Sequence, residues 1–278
     1  MSDGPHRAAG VGAAPPREVL AAFGARGEAD LLPGGQGRTW RSGEVVVKPC
    51  GLATEAAWVA EVLSTIEETG RFRVARPVRA ADGGWIVRGW QAWRLTPGSP
   101  DPRRWDEVLA AGEAFHEALA GLGCPAFLKD REDPWTFGDR IAWEELPLRG
   151  GEEMAELLEP LALSRRPVDV PAQPVHGDLL GNVMFADGMA PAVIDWPVYC
   201  RPASWASAVA VVDALTWHGA PASLVERWSD RAEWDQMLVR ALMYRIATNE
   251  GLRRAELPVR EHVKSYRPVV DLVLDRAR

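Results

Sequence analysis

A segment rich in proline and glycine, TPGSPDP at residues 96–102, separates two parts of the chain that differ in character. Before it, short runs of Val, Ile and Trp alternate with glycine-containing turns, which is the pattern of a small antiparallel sheet. After it, apolar residues recur at the three- and four-residue spacing of helices, most clearly over 105–122. The chain is therefore expected to fold as an α+β protein, with a small β-rich part and a larger, mostly helical part.

We predict three regions along the 278 residues. Residues 1–15 contain Gly, Ala and Pro without apolar periodicity and are expected to form a disordered tail. Residues 16–96 would form the small lobe with one main helix, and residues 97–278 the helical lobe, which holds a short β-hairpin. A ligand is expected between the two lobes, because binding sites prefer such concave boundaries.

Several local elements of the small lobe can be predicted. A short helix is expected over Arg17–Phe23, and LLPGGQGRTWRSGEVVVKP indicates three strands joined by two glycine-containing turns. The main helix is expected in TEAAWVAEVLSTIEETG, with Thr54 capping its start and Gly70 ending it. Two more strands are expected in RVARPVRAA and WIVRGWQAWRL.

Composition excludes several classes of function. The net charge of -7, from 32 basic and 39 acidic residues, argues against nucleic-acid binding. No apolar run reaches the roughly eighteen residues of a membrane helix, and the N-terminus has no hydrophobic segment typical of a signal peptide. Cys50, Cys124 and Cys200 are far apart and are expected to be reduced thiols. These features predict a cytoplasmic protein without nucleic-acid or membrane partners and leave its oligomeric state open.

Three features of the small lobe suggest phosphate binding, although each is weak alone. The glycines of Gly34-Gly35-Gln36-Gly37 would let backbone amides approach a phosphate, but an ordinary hairpin turn explains them more often. Lys48 is one of only three lysines and ends the strand EVVVKP, where it could hold phosphates or simply be solvated. Glu55, or failing that Glu61, could orient Lys48, unless the two glutamates only stabilise a helix end or the surface.

Two features of the larger lobe suggest catalysis and metal binding. In His176-Gly177-Asp178, the aspartate could accept a hydroxyl proton while His176 orients the loop by hydrogen bonds. Asn182 follows closely, and Asp195 closes the apolar run PAVIDW, so both could offer oxygen ligands to Mg²⁺. A turn is the more usual explanation of an isolated HGD, and capping of a turn is the alternative for Asp195, but the order of all five features is hard to obtain by chance.

The motifs GGQGRTW, VVVKP, TEAAWVAEVL, WRLTPG, VHGDLLGN and AVIDW, together with AFHEAL, carry a family resemblance. The chain resembles the aminoglycoside phosphotransferase and choline kinase-like family, which are small-molecule relatives of the protein kinases. The resemblance implies a two-lobe protein-kinase-like fold with a small antiparallel-β N-lobe and a larger, mostly helical C-lobe. It also implies transfer of the γ-phosphoryl group of ATP, in the presence of Mg²⁺, to a hydroxyl of a small molecule.

The resemblance also implies a role for each matching residue. Asp178 would be the catalytic base, assisted by His176, and Asn182 and Asp195 would be the Mg²⁺ ligands. The nucleotide would be bound by Gly35, Gly37, Lys48, Glu55, Trp93 and Leu95, with adenine docking on the backbone within Trp93–Thr96.

Two departures from the family pattern motivate an alternative. Only three residues separate Asp178 from Asn182, where the family usually has four. Trp205-Ala206-Ser207 stands where the family often has Asp-Leu-Ala. The alternative is a pseudokinase, or a regulatory nucleotide-binding protein, that acts through protein contacts. Transfer of AMP to a protein is a third, weaker hypothesis.

The acceptor is expected to be a hydroxyl of an aminoglycoside, aminosugar or amino alcohol. Acidic residues near 144–159 could attract such a cation, although a solvated helix face explains them better. A mixture of Trp135, Asp139 and Trp143 would suit a sugar pocket, although a tryptophan at such spacing is more often core. The acidic residues are Glu144, Glu145, Glu152, Glu153, Glu156 and Glu159.

Overall fold

The computed structural model describes residues 12–33, 37–148, 150–259 and 263–277. The chain divides into two compact units. The first comprises Met1–Glu68 and Val74–Pro97, and the second comprises Thr69–Arg73 and Gly98–Arg278. The predicted tail lies outside the described residues up to residue 11 and stays a prediction.

The first unit contains an antiparallel sheet, as predicted, but the single strand expected in WIVRGWQAWRL is two strands, Ile86–Val87 and Trp90–Arg94, which pair with each other. Five strands pair in the order β1-β2-β3-β6-β5. The turn with Gly43 connects β2 to β3 as expected, whereas residues 34–36 of the predicted β1–β2 turn lie outside the described residues. Val47 of the central strand is fully buried and packs with Val19 and Leu20 of the first helix and with Phe23 just after it. The elements are α1 (Arg17–Ala22), β1 (Asp30–Leu31), β2 (Trp40–Ser42), β3 (Val45–Pro49), α2 (Ala53–Thr65), β5 (Ile86–Val87) and β6 (Trp90–Arg94).

Both predicted ends of the main helix were wrong. Helix α2 begins at Ala53, with Leu52 at the N-cap and no side-chain cap, so Thr54 lies inside the helix. Helix α2 ends at Thr65, well before Gly70, because the chain turns to extended geometry at Ile66. Arg76 then donates from Nη1 to Leu63 O (2.7 Å) and from Nη2 to Ile66 O (3.1 Å). The last carbonyls are thus satisfied by a side chain that is distant in sequence, which no local signal could reveal.

Most of the segment RVARPVRAA does not form the expected strand. Only Arg73–Val74 is extended in a ladder, as β4, and Pro77 makes a single bridge to Trp93. Proline lacks an N–H, so a regular ladder cannot continue through this position.

The second unit is mostly helical, as predicted. Its strands form two small sheets, ordered β4-β10-β9-β7 and β11-β8, and the predicted hairpin is β9–β10. None of the described helices has the length and apolarity needed to cross a bilayer. The α-helices are α3 (Trp105–Leu119), α4 (Pro134–Ala142), α5 (Glu152–Ser164), α6 (Ala203–Trp217), α7 (Ser223–Arg227), α8 (Trp234–Arg254) and α9 (Arg267–Arg276). The strands are β7 (Ser99–Pro100), β8 (Gln173–His176), β9 (Val183–Phe185), β10 (Ala192–Val193) and β11 (Val198–Arg201), and two 3₁₀ helices lie at Ala126–Asp130 and Val263–Tyr266.

The core of the second unit is built on apolar faces of α3, α6 and α8. Phe115 of α3 is fully buried and contacts the rings of Phe72 (5.8 Å) and Trp196 (5.1 Å) edge-on. Trp205 of α6 is likewise buried and lies 5.3 Å from the ring of Tyr244 on α8. Burying a side chain of this size contributes about 2–3 kcal/mol each. The unit therefore has a core of its own, and the α+β class is confirmed.

The expectation of three reduced thiols is corrected for two of the cysteines. Cys124 and Cys200 form a disulfide, with their Cα atoms 5.6 Å apart and a sequence separation of 76. Cys124 follows α3 and Cys200 lies in β11, so tertiary structure rather than sequence spacing brings them together. Cysteine usage therefore no longer supports a reducing compartment. Cys50 is a free thiol.

Candidate active site

The HGD sequence lies at the end of strand β8, and the His176 side chain holds the loop that follows. Its ring is fully buried. Nε2 is 3.0 Å from Ile194 O, and Nδ1 accepts a hydrogen bond from Asp178 N at 3.1 Å. This pattern requires the neutral tautomer protonated at Nε2. Burial lowers the pKa of His176, against the bond to Ile194 and the charges of Asp178 and Asp195, which raise it. His176 therefore holds the loop through hydrogen bonds of its ring.

A second buried histidine supports the first. His116, in the AFHEAL segment of α3, accepts a hydrogen bond at Nε2 from His176 N at 3.0 Å. Burial, with a smaller contribution from His176, lowers the pKa of His116 to about 3. His116 is therefore neutral at pH 7, and its ring accepts the hydrogen bond from the backbone N–H of His176.

The short loop after Asp178 closes as a tight turn. Asn182 N donates to Leu179 O at 2.9 Å, and Gly181 takes a φ of 89°, which glycine adopts at little cost. Leu179 is fully buried and anchors the turn. Three intervening residues are therefore sufficient to return the chain to Asp178.

The turn places Asn182 against Asp178. Asn182 Nδ2 donates to Asp178 O at 2.7 Å and lies 3.4 Å from Asp178 Oδ2. Since the amide nitrogen points to Asp178, the amide oxygen is presented on the opposite side. The predicted base and the predicted metal ligand are thus brought together.

Asp195 lies at the same end of the β9–β10 hairpin as Asn182. Val183 pairs with Val193, and Ile194 N donates to Asn182 O at 2.9 Å. Asn182 comes just before the first strand of the hairpin and Asp195 comes just after the second, so both lie at the same end. Asp195 is exposed and has a φ of 50°, the left-handed region that non-glycine residues rarely adopt. Such backbone strain is typical of functional positions.

The donor atoms at this end of the hairpin fit Mg²⁺ chemically. An amide oxygen and a carboxylate oxygen are hard ligands, which Mg²⁺ prefers and usually combines with water and phosphate oxygens. Among the described residues, no three His, Cys, Asp or Glu side chains gather into a metal site. The arrangement is therefore suited to a metal brought with a nucleotide and not to an all-protein cage.

Arg245 is a site residue that the sequence did not suggest. Its Nη2 donates to Asp178 Oδ1 at 2.6 Å, and its Nε donates to Asp213 Oδ1 at 2.8 Å. Burial alone would lower the pKa of Arg245, but Asp213, Tyr244 and Asp178 hold it well above its usual value. The only sequence signal is that Asp213 is the one charged residue of α6, and that Arg245 interrupts the apolar run ALMYRIA of α8.

In the first unit, Lys48 lies in β3 opposite Gln91 of β6. Its Nζ is 5.9 Å from the ring centre of Trp93. Glu55 occupies the first turn of α2, which begins shortly after β3. The substitute partner, Glu61, instead accepts hydrogen bonds from Arg79 Nη2 (3.1 Å) and Trp85 Nε1 (3.0 Å). Glu61 therefore has partners other than Lys48, and Glu55 stays the predicted partner of Lys48.

The remaining predicted nucleotide contacts lie along β6 and the β1–β2 turn. Trp93 is inside strand β6, and Leu95 N already donates to Glu44 O at 2.9 Å. The Leu95 N–H therefore already has a partner and is not available to the predicted adenine. Gly37 has a φ of 69°, as a turn requires, whereas Gly35 lies outside the described residues.

Comparison with known proteins decides the family. The sequence model described as the phosphotransferase enzyme family matches residues 37–242, about three quarters of the chain. The chain belongs to this phosphotransferase family. No curated protein sequence matches it.

Solved structures similar to this phosphotransferase are kinases of small molecules. Choline kinase LicA from Streptococcus pneumoniae is 12% identical, with 93% of this chain and 97% of that chain covered and a TM-score of 0.59. A choline/ethanolamine kinase family protein from Mesorhizobium loti is 16% identical, with coverages of 94% and 92% and a TM-score of 0.54. The GDP and kanamycin complex of APH(2")-IIia is 13% identical, with coverages of 93% and 96% and a TM-score of 0.52. LicA is also known in complex with AMP.

These comparisons confirm the predicted family and the two-lobe kinase-like fold. The similarity at 12–16% identity concerns the fold and leaves the substrate of this phosphotransferase open. The residue types of the family resemblance are present in both units, and the structure brings those of the second unit together.

The acidic residues of the phosphotransferase near α5 are largely engaged in ion pairs. Four of the six have a basic partner within 3.5 Å, which supports the structural explanation over attraction of a cationic acceptor. The pairs are Glu144–Arg165 (3.4 Å), Glu145–Arg201 (2.7 Å), Glu153–Lys264 (3.4 Å) and Glu156–Arg267 (3.5 Å).

The candidate sugar-pocket residues also have structural roles. Asp139 is buried and forms a two-point ion pair with Arg201, at 2.9 Å from Nε and 2.6 Å from Nη2. The guanidinium carbons of Arg201 and Arg240 lie over the ring of Trp143, at 4.9 Å and 5.0 Å from its centre. Both residues therefore stabilise the second unit.

Proposed function

We propose that this phosphotransferase moves the γ-phosphoryl group of ATP to a hydroxyl of a small molecule, with Asp178 as the base. The observation that carries the proposal is the gathering of Asp178, Asn182 and Asp195 around one end of the β9–β10 hairpin. The Asp178 side chain is 34% exposed, so an acceptor can reach it.

The chemistry would be mainly positioning. The acceptor oxygen forms a bond to the γ-phosphorus while the bond from that phosphorus to the bridging oxygen of ADP breaks. The hydroxyl proton passes to Asp178 Oδ2, because Oδ1 already accepts from Arg245. His176 holds the Asp178 backbone in place through its neutral ring.

Asn182 and Asp195 would hold Mg²⁺ through their side-chain oxygens. When bound, the metal would neutralise phosphate charge during transfer. Lys48 would contact the α- and β-phosphates, with Glu55 holding Lys48. The glycine turn with Gly35 and Gly37 would cover the phosphates, and Trp93 and Leu95 would meet adenine. Known complexes with AMP and GDP in proteins of the same fold support a nucleotide here.

The acceptor is proposed to be an aminoglycoside, aminosugar or amino alcohol. Proteins of this fold are described as acting on choline or binding kanamycin, which both carry a hydroxyl and a cationic nitrogen. The net charge of -7 suits a cationic acceptor through long-range attraction.

Calorimetric titration with MgATP tests the nucleotide site. Lys48→Ala and Asp195→Ala should each weaken binding at least tenfold. Lys129→Ala and Asp187→Ala are matched controls, because both residues are exposed and Asp187 lies in the turn of the same hairpin. Equal loss in the controls, or undiminished binding in the site variants, would refute the assignment.

Turnover with a panel of choline, ethanolamine, glucosamine and kanamycin tests the reaction. Asp178→Asn keeps the shape of the side chain but removes the base, and should lower kcat by about 10²–10⁴-fold with MgATP binding retained. Mass spectrometry of the product separates phosphoryl from AMP transfer. Wild-type protein that binds MgATP but phosphorylates no acceptor would favour the pseudokinase.

A further inference from the structure

Arg245 lies on α8 between two aspartates and has no assigned role in the reaction. Its guanidinium contacts Asp178 through Nη2 and Asp213 through both Nε and Nη2. The side chains of Arg245 and Asp213 are 4% and 2% exposed, whereas that of Asp178 is 34% exposed. One buried guanidinium thus links a buried carboxylate to the carboxylate proposed as the base.

Charge balance separates the roles of the two aspartates. A buried guanidinium requires a carboxylate partner, and Asp213 supplies it through a two-point contact in the plane of the guanidinium. Asp178 is then a second carboxylate, so the three side chains together keep one negative charge. Arg245 can therefore hold Asp178 by a directed hydrogen bond without cancelling its charge.

The same bond selects which oxygen of Asp178 is presented. Oδ1 is held by Arg245 at 2.6 Å, while Oδ2 lies 3.4 Å from Asn182 Nδ2. The Asp178 backbone is fixed separately, because its N donates to His176 and its O accepts from Asn182. Backbone and side chain are thus held from two sides.

We infer that Arg245, fixed by Asp213, is a positioning residue that turns Asp178 Oδ2 toward the acceptor hydroxyl. The inference rests on the proposed function of Asp178 as the base. Misplacing a reactive group by about 1 Å costs about 100-fold in rate, and that is the loss expected when the anchor is removed.

The test removes both buried charges together, since Arg245→Gln alone would leave Asp213 buried without its partner. In the double variant Arg245→Gln/Asp213→Asn, kcat should fall about 100-fold while the KM for MgATP changes less than about twofold. Arg240→Gln is the matched control. Arg240 is also buried on α8, but its hydrogen bonds go to Gln236 and Arg166 O, so kcat should stay within twofold of wild type.

An unchanged kcat in the double variant would overturn the inference, and so would an equal loss in Arg240→Gln, because the effect would then be one of packing. If the double variant does not fold, Arg245→Lys replaces it. Lysine keeps the charge but cannot contact both aspartates with a planar fork, so kcat should again fall with the KM for MgATP retained.

Crystal structures of the wild type and of Arg245→Gln/Asp213→Asn test the inference without an activity assay. We expect the Asp178 carboxylate to leave its present orientation toward Asn182 once Arg245 is replaced, and an unchanged carboxylate would overturn the inference. By contrast, wild-type protein that neither binds MgATP nor phosphorylates an acceptor would refute the proposed function, with the orientation of Asp178 still decided by the two structures.

Discussion

Replacing Gly177 by alanine tests how closely the loop that carries Asp178 packs on β11. A Cβ atom at Gly177 would lie 2.3 Å from Tyr199 Cδ2 and 2.4 Å from Tyr199 Cε2. Non-bonded carbon atoms prefer about 3.5–4.0 Å. The loop or the ring must therefore move by about 1 Å.

The Tyr199 ring has little room to retreat. It is buried, its centre is 5.4 Å from that of Trp205, and its hydroxyl is 3.0 Å from the hydroxyl of Tyr244. Arg131 lies over the ring at 5.0 Å. Overpacking a buried site costs about 1–3 kcal/mol, and a broken buried hydrogen bond adds about 1 kcal/mol. We expect Gly177→Ala to lower the free energy of unfolding by about 2–4 kcal/mol.

Urea unfolding followed by far-ultraviolet circular dichroism measures this loss. Gly121→Ala is the matched control, because no atom lies within 4 Å of its added Cβ, and it should be neutral or stabilising by about 0.5 kcal/mol. Combining Gly177→Ala with Tyr199→Leu should cost at least about 1 kcal/mol less than the sum of the single changes, since both act on one contact. Wild-type stability of Gly177→Ala, or additive losses, would refute the reasoning.

Three further predictions concern the second unit. Cys200→Ser should lower the free energy of unfolding by up to about 4 kcal/mol, because the disulfide closes a loop of about 77 residues; equal urea midpoints with and without reductant would contradict the bond. His116 has its pKa lowered to about 3 in the folded protein, so the unfolded chain binds its proton first and stability should fall below pH 6.5. The free energy of unfolding should be about 2 kcal/mol lower at pH 5. Urea midpoints measured between pH 6.5 and pH 5 should fall less in His116→Gln than in the wild type. Asp139→Ala should cost about 3 kcal/mol by leaving Arg201 buried without its main partner, and thermal unfolding of Asp139→Leu/Arg201→Met should show most of that loss recovered.

Local sequence signals were sufficient for much of the fold. Alternating apolar residues and turn glycines predicted the strands around Lys48 and the β9–β10 hairpin, since those pairings join neighbouring segments. Helical periodicity likewise located α3, because that pattern is contained within the helix itself. The early end of α2 was missed because Arg76, outside the helix, satisfies its last carbonyls.

Parts of the candidate site depend on contacts that no local pattern encodes. Asp178, Asn182 and Asp195 could be grouped because a turn and a hairpin connect them within a short stretch. Arg245 is 67 residues from Asp178 in sequence and lies in helix α8, so only tertiary packing reveals the contact. The Cys124–Cys200 bond was missed for the same reason, because tertiary structure and not sequence spacing brings the two cysteines together.

The left-handed backbone at Asp195 has a consequence for how this protein balances stability and activity. An L residue in that region costs about 1 kcal/mol that glycine would not, and Asp195 adopts it with a φ of 50°. If its carboxylate holds Mg²⁺ as proposed, the chain gives up part of the stability of this turn to keep a charged oxygen at this end of the hairpin.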